Sequence, residues 1–440
     1  MDDKLKKIGI QIPNILLPKN IDLTKWSVVA CDQYTSEPEY WEQVKKFVRN
    51  DPSTLNIIYP EVYLEEPEEK KKERINKINQ TMTNYLENIL QEKQGFIYLE
   101  RTVNDEQGNK KIRKGLMVCI DLEKYDYNKG SKSLVRATEG TVLERLPPRI
   151  EVRKDALLEL PHIMVLIDDP DNTVIEPLTS LKTEKVYDFD LMMNGGHLEG
   201  YRINNEIQEK IIDSLFNLAD KENFNKKYNL ENEEVLLFAM GDGNHSLATA
   251  KAIWEERKKQ GASQDDLARY ALVELVNIHE GALEFEPIHR VIFNIKKPIL
   301  EEMKNKFNDN FEYINCSKEE MINKVKTQIG DEQKIGFIQE NIFGIITIKN
   351  PKHNLVVGTL QKFLDEFIKE NAEKIDYVHG QEPTCELGAK IDNCGFFLPV
   401  IKKTELFKTV ILEGALPRKT FSMGEAEEKR FYLECRKIRR

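Results

Sequence analysis

The sequence predicts a mixed α/β protein of the α+β kind in two units, residues 1–284 and 285–440. Three observations carry that expectation. Stretches with apolar residues at alternating three- and four-residue spacing read as amphipathic helices. Short β-type runs interrupt them, among them the wholly apolar Val235 to Met240, the pattern of a strand buried on both faces. After Pro287 the texture shifts to short alternating strands and helices, which marks a separate C-terminal α+β unit. The length agrees: at roughly 150 residues per domain, 440 residues imply two or three units.

Taken in order, the first sixty residues read as irregular and rich in turn formers, with Trp26, Tyr34, Tyr40 and Trp41 scattered through them. Glu65 to Lys93 reads as a long helix with Ile75, Ile78, Met82, Tyr85 and Ile89 on one face, ended by Gly95. A hairpin follows, with strands Phe96 to Val103 and Ile112 to Leu122 around a turn from Asn104 to Asn109. Ser133 to Ala137 and Ile163 to Ile167 read as further strands. A second helix is expected from Asn205 to Lys221, with Ile207, Ile211, Leu215 and Leu218 inward. Gly241 breaks the apolar run, and a helix then carries Leu247, Ala250 and Trp254 inward until Gly261 stops it. In the C-terminal unit the elements are Leu300 to Phe307, Ile335 to Gln339, Phe343 to Ile348 and Phe363 to Asn371.

Composition excludes several classes. With 40% hydrophobic and 32% charged residues the chain holds enough apolar material for large cores and is neither disordered nor collagen-like. No run of about 18 apolar residues exists, so no membrane-spanning helix is expected. The amino end carries Lys4, Lys6 and Lys7 but no secretory pattern, which predicts a cytoplasmic chain. A net charge of −10 repels nucleic acid backbones and predicts no such partner. The cysteines at 31, 119, 316, 385, 394 and 435 show no metal-ligand or redox spacing and read as reduced and mostly buried.

The passage from Val235 to Ala250 holds the strongest local signal for chemistry. Gly241 and Gly243 flank Asp242 where the chain leaves a buried strand and enters a helix. Glycine lets a ligand approach the backbone closely, and the opening turn of a helix presents amide donors in a favourable dipole. Together they suit a phosphate or carboxylate. Asp242 would hold a divalent metal or orient a nucleophile, and His245 would donate to a phosphoryl oxygen. The competing reading is an ordinary turn, with Asp242 or Asn244 as helix cap. The passage is neither a Walker A loop nor a dinucleotide fingerprint.

The cations divide into 48 Lys and 17 Arg, yet Arg136 to Arg153 holds Arg136, Arg145, Arg149 and Arg153 and no lysine. Planar, bidentate donors suit carboxylates and phosphates. Glu139, in the same stretch, is placed to act as a general base. The alternative is a solvated helix face on which the arginines pair with Glu144 and Glu151, although Pro147-Pro148 opposes a continuous helix. The other histidines, His162, His197, His279, His289, His353 and His379, show no zinc-site spacing. His197 follows the turn Asn194-Gly195-Gly196, and His289-Arg290 reads as a surface or cleft pair.

These blocks resemble a family. Gly241 to Ala250 is similar to the Asp-Gly-His-His-Arg signature of the "domain of unknown function 1015" proteins. Ala137 to Thr141 resembles their His-Glu-x-Thr segment, Gly195 to Ile203 their Gly-x-x-His strand, and Ala271 to Arg290 their Leu-Val-Asn…Pro-Thr-His-Arg block. Arg418-Lys419-Thr420 is similar to their late Lys-Ser-Thr, so the likeness runs colinearly over most of the chain. The signature in turn resembles the phosphate-binding motif of the ParB/sulfiredoxin superfamily, which includes free-serine kinases. The resemblance implies a ParB/sulfiredoxin-like nucleotide-binding core with large insertions, and a phosphotransferase that uses Mg²⁺ with ATP or ADP on a small hydroxyl compound such as free serine. It implies no zinc, haem or flavin. Glu139 would be the base; Asp242 and His245 would serve phosphates and metal; Gly241, Gly243, Asn244 and Ser246 would line the phosphate site. His197, His289, Arg290 and Lys419 would border the substrate cleft. The chain departs from the pattern at Thr138 and Asn244, where relatives have His, and at Ser246, where they have Arg. Arg136, Arg145 or Arg149 would replace that arginine. Asn244 also stands where sulfiredoxins need cysteine, so sulfinic-acid reduction is not implied. A nucleotide-gated binding or regulatory protein is the alternative function.

Overall fold

The computed structural model describes residues 1–30, 34, 37–104, 109–424 and 428–440. Cys31 and the expected hairpin turn at 105–108 lie outside the described residues. The chain divides into a unit of Met1–Leu283 with Gly424–Arg440, and a unit of Glu284–Met423. The last segment, which the sequence reading groups with the C-terminal unit, therefore belongs to the first. Its residues Phe431–Tyr432 pair with Val28–Val29, Arg436–Lys437 pair with Leu158–Glu159, and Phe431, Leu433 and Cys435 are fully buried. Two-residue strands carry no local signal of the partner they choose, so the assignment comes from apolar burial alone.

A ten-stranded mixed sheet organises the first unit, a mixed α/β arrangement. Its order is 184–190, 197–202, 97–104, 110–121, 270–277, 164–167, 238–242, 135–136, 125–126, with 10–11 pairing on 110–121. Alternate residues feed two cores, one on each face. Tyr98, Leu116, Val118, Val165 and Phe238 meet Ile211, Leu215 and Trp254 of the helices Asn205–Leu218 and Asn244–Lys259. On the opposite face Ile97, Leu99, Met117 and Cys119 meet Trp41, Ile78, Met82 and the C-terminal segment.

Several boundaries differ from expectation. The long helix spans Glu68–Asn88 rather than reaching Lys93, because Leu90–Gln94 pairs antiparallel with Asn14–Pro18. The opening sixty residues are not irregular: Pro38–Val48 is a helix with Pro38 in its first turn and Trp41, Val44 and Val48 buried at helical spacing. After Asn205–Leu218 a second helix, Lys221–Tyr228, is capped by Asp220, whose carboxylate accepts from the Asn223 amide at 2.9 Å. The described cysteines form no disulfide, and burial pushes the Cys119 thiol up to about 12. No helix among the described residues is long and apolar enough to cross a membrane.

The second unit holds a seven-stranded sheet ordered 311–315, 342–348, 333–339, 394–397, 285–293, 374–379, with 421–423 pairing on 285–293, every pairing antiparallel. The helix Val356–Asn371 buries Val357, Leu360, Leu364 and Phe367 along one stripe.

Candidate functional site

Phe238–Asp242 forms the strand that leads into the bend, so the strand begins later than predicted and runs through Gly241 instead of breaking there. It lies antiparallel to Met164–Ile167 and parallel to Val135–Arg136. The turn is concentrated in Gly243, at φ 80°, where a Cβ would lie 3.0 Å from the Ile163 Cα. Only glycine enters that region without strain. The helix Asn244–Lys259 starts directly behind it, and no side chain caps this start. The Asp242 carboxylate turns to the Gly243 amide at 2.8 Å instead, so neither Asp242 nor Asn244 acts as the helix cap. An uncapped start leaves opening-turn amides for an outside acceptor.

Glu139 follows the strand Val135–Arg136, which runs beside the strand leading into the bend. Arg136 is level with Ala239 in the parallel ladder, and three residues further on each chain lie Glu139 and Asp242. The Thr138 hydroxyl donates to the Met240 carbonyl at 2.7 Å and holds the two segments together there.

Sequence reasoning missed the cation at this point. Lys429 Nζ lies 3.4 Å from Asp242 Oδ2. The C-terminal segment that carries it is anchored by arginines from the hairpin strands. Arg101 donates to the Glu428 and Lys429 carbonyls at 2.8 and 2.6 Å, and Arg113 donates to the Glu428 carbonyl at 2.9 Å. Next along, Arg430 pairs with Glu274 at 2.7 Å and Glu434 at 2.6 Å. Nothing in the sequence links residue 429 to residue 242, since the contact depends on where the last segment re-enters the fold.

The arginine-rich stretch divides. Arg136 is buried and gives its guanidinium to the carbonyls of Ser133 and Glu234, each at 2.7 Å, so it caps a loop rather than facing the bend. Arg145 is exposed. Leu146–Arg153 is a helix despite Pro147-Pro148, because both prolines occupy its first turn, where no amide is needed. It packs on the bend helix. Arg149 pairs with Glu61 and Arg153 with Glu159 at 2.5 Å, not with Glu144 and Glu151. Both arginines line a cavity of about 160 Å³ that Ser246 and Thr249 of the bend helix also reach. There Ser246 Oγ bonds His162 Nε2 at 3.0 Å, and the Tyr432 hydroxyl bonds His162 Nδ1 at 3.0 Å. His162 is the residue that a reading of the flanks of the apolar strand would have singled out.

The predicted cleft residues are divided between the two units. His197 pairs with Asp190 at 2.8 Å and Asp188 at 3.1 Å, on a strand five ladder steps along the sheet from the bend strand. His289, Arg290 and Lys419 belong to the second unit. His289 is core there and not a surface or cleft group: its Nδ1 accepts from the Leu398 amide at 3.0 Å and its ring stacks on Phe397. Burial, followed by the adjacent Arg290 charge, holds it down at about 3, so it stays neutral. Arg290 is fully buried, with Nε donating to Gln361 at 3.1 Å, and Lys419 is exposed.

No group of three or more His, Cys, Asp or Glu side chains among the described residues is arranged to hold a metal. Asp242 offers a single carboxylate. That donor set suits a Mg²⁺ carried by nucleotide phosphates and waters, and does not make a protein-only cage.

The model of the DUF1015 family, proteins of unknown function, matches residues 16–367. The chain belongs to that family. No curated protein matches this DUF1015 member. Among solved structures it is similar to free serine kinase in complex with AMP, at 13% identity and a TM-score of 0.35 over 73% of this chain and 92% of that one. It is similar also to SbnI with C-terminal truncation from Staphylococcus aureus, at 9% identity and a TM-score of 0.35, covering 70% and 82%. A conserved hypothetical protein from Pyrococcus furiosus aligns at 12% identity and a TM-score of 0.34, covering 73% and 95%. Likenesses at this level say nothing about activity.

Proposed function

We propose that this DUF1015 chain is a nucleotide-dependent phosphotransferase acting on the hydroxyl of a small metabolite, with a ParB/sulfiredoxin-like phosphate seat at the Gly243 bend. The observation that carries the reading is the uncapped start of the helix Asn244–Lys259 behind a left-handed glycine, with Lys429 beside Asp242. Amides at such a start are open to phosphate oxygens. Lys429 takes the charge role that the family's arginine would play at Ser246, in place of Arg136, Arg145 or Arg149.

In this reading the bend amides and Lys429 hold the terminal phosphates, and His245 and Ser246 in the first helical turn donate to the transferring group. Glu139 takes the proton of the acceptor hydroxyl as its oxygen forms the new bond to phosphorus and the nucleotide leaves. A Mg²⁺ arriving with the nucleotide would offset phosphate charge, with Asp242 as its one protein carboxylate.

Two measurements test this. Thermal-shift titration with ATP, ADP and CTP in Mg²⁺ is expected to show saturable stabilisation by at least one nucleotide; none by any would remove the proposal. Phosphorus NMR of that nucleotide with a metabolite mixture should show a new phosphoester that disappears in Glu139→Gln. Binding with no product in the native chain would favour the nucleotide-gated alternative.

A further inference from the structure

The cavity beside the bend helix has walls that specify an occupant. Ile57, Ile78, Met82, Leu158, Leu160 and Ile163 make it largely apolar. Four charged side chains reach it, and each already has an ion-pair partner: Arg149 with Glu61, Arg153 with Glu159. Glu159 is further held by Arg436 at 2.6 Å and by the Leu272 amide at 2.9 Å. The Tyr59 and Thr249 hydroxyls are given to the carbonyls of Tyr63 and His245 at 3.1 and 2.7 Å. A charged occupant would compete with an existing ion pair, whereas a neutral one would not.

The Ser246–His162–Tyr432 chain is different in kind. A hydroxyl can either donate to or accept from an imidazole nitrogen. Whichever role Ser246 takes toward His162, its oxygen keeps either its proton or its lone pairs for a further bond. A ligand hydroxyl, both donor and acceptor, meets either case. Size follows from volume: an apolar cavity of about 150 Å³ takes up benzene, and this one is about 160 Å³.

We propose that this cavity binds a small neutral alcohol or phenol, of roughly six to nine non-hydrogen atoms, with its hydroxyl on Ser246 Oγ. The inference concerns binding and holds without nucleotide.

The test uses the full chain without nucleotide, with p-cresol and 3-methylbutan-1-ol as probes and toluene, benzoate and free serine as comparators. Saturation-transfer NMR and calorimetry should show saturable binding of both alcohols, weaker binding of toluene, and none of benzoate or serine. Ser246→Ala should weaken p-cresol about fivefold, the worth of one neutral hydrogen bond, and leave toluene unchanged. Ala156→Leu and Leu160→Phe, two independent ways of filling the cavity, should each abolish binding, with circular dichroism confirming which variant is folded. The proposal is overturned if neither alcohol binds, if benzoate binds more tightly than p-cresol, or if p-cresol still binds a folded cavity-filled variant. ADP stabilisation is read in a separate titration, so the cavity and the phosphotransferase reading can each fail alone.

Discussion

Around Arg430 five charged side chains are packed out of water; at the bend, one residue earlier, Lys429 meets Asp242 across a partly exposed gap. In the first region Arg101, Arg113 and Arg430 outnumber Glu274 and Glu434, and the surplus charge is met by carbonyls of Gly195, Glu428 and Lys429. Burial, and then the neighbouring Arg113, work against the charge on Arg101. In the second region Lys429 faces Asp242 at 3.4 Å. The buried arginines position a strand of backbone, and the lysine they deliver stands at the bend.

Removing a buried charge should have the largest effect. Arg430→Met leaves Glu434 buried without its cation and Glu274 with Arg113 alone, at 3.4 Å, and should cost about 3–5 kcal/mol in urea unfolding. A loss below about 1 kcal/mol, the level of exposed pairs, would erase the distinction.

Glu159 sharpens the comparison through pH. Burial raises its carboxyl, but Arg436 and Arg153 outweigh burial and hold it below the usual carboxylate range. A depressed folded-state value means that the stabilisation is present above about pH 4.3 and fades as pH falls through the folded value. Glu159→Gln should therefore cost about 3 kcal/mol at pH 7, with the gap to the native chain narrowing below about pH 4. A gap constant with pH would show that the carboxylate charge contributes nothing.

Gly243→Ala should cost about 1–2 kcal/mol, because a side chain is strained at φ 80° and its Cβ would press on the Ile163 backbone. Nucleotide stabilisation should fall with it in the thermal-shift titration, and an alanine variant of native stability would mean that the bend tolerates a side chain. Lys429→Met should have the smallest effect on stability, within about 1 kcal/mol, while weakening ADP binding about tenfold by calorimetry. Unchanged ADP affinity would place Lys429 outside the phosphate seat.

Much of this organisation was legible in the chain. The helix behind Gly243 buries Leu247, Ala250 and Trp254 as the spacing predicts, and the hairpin strands Ile97–Asn104 and Lys110–Asp121 follow the expected runs. The bend was found because glycine at a strand-to-helix passage is a local signal. The arginine stretch was read in the right place and in the wrong company: Arg149 and Arg153 pair with Glu61 and Glu159, residues that no spacing rule connects to them. The prolines misled because their effect depends on position within a helix, being disruptive inside and tolerated in the first turn. His289 reads from its neighbours as a surface or cleft residue, but the Phe397 ring that covers it comes from a strand far along the chain.

Periodicity and turn chemistry are properties of neighbouring residues, so the mixed α/β character, the principal helices and the glycine at the bend follow from local pattern. Long-range packing set the return of residues 424–440 to the first unit, the place of Lys429 beside Asp242, and the ion pairs of Arg149 and Arg153 around an apolar cavity. Those outcomes depend on which distant apolar surfaces bury one another and which buried charges find partners, a competition settled over the whole chain at once.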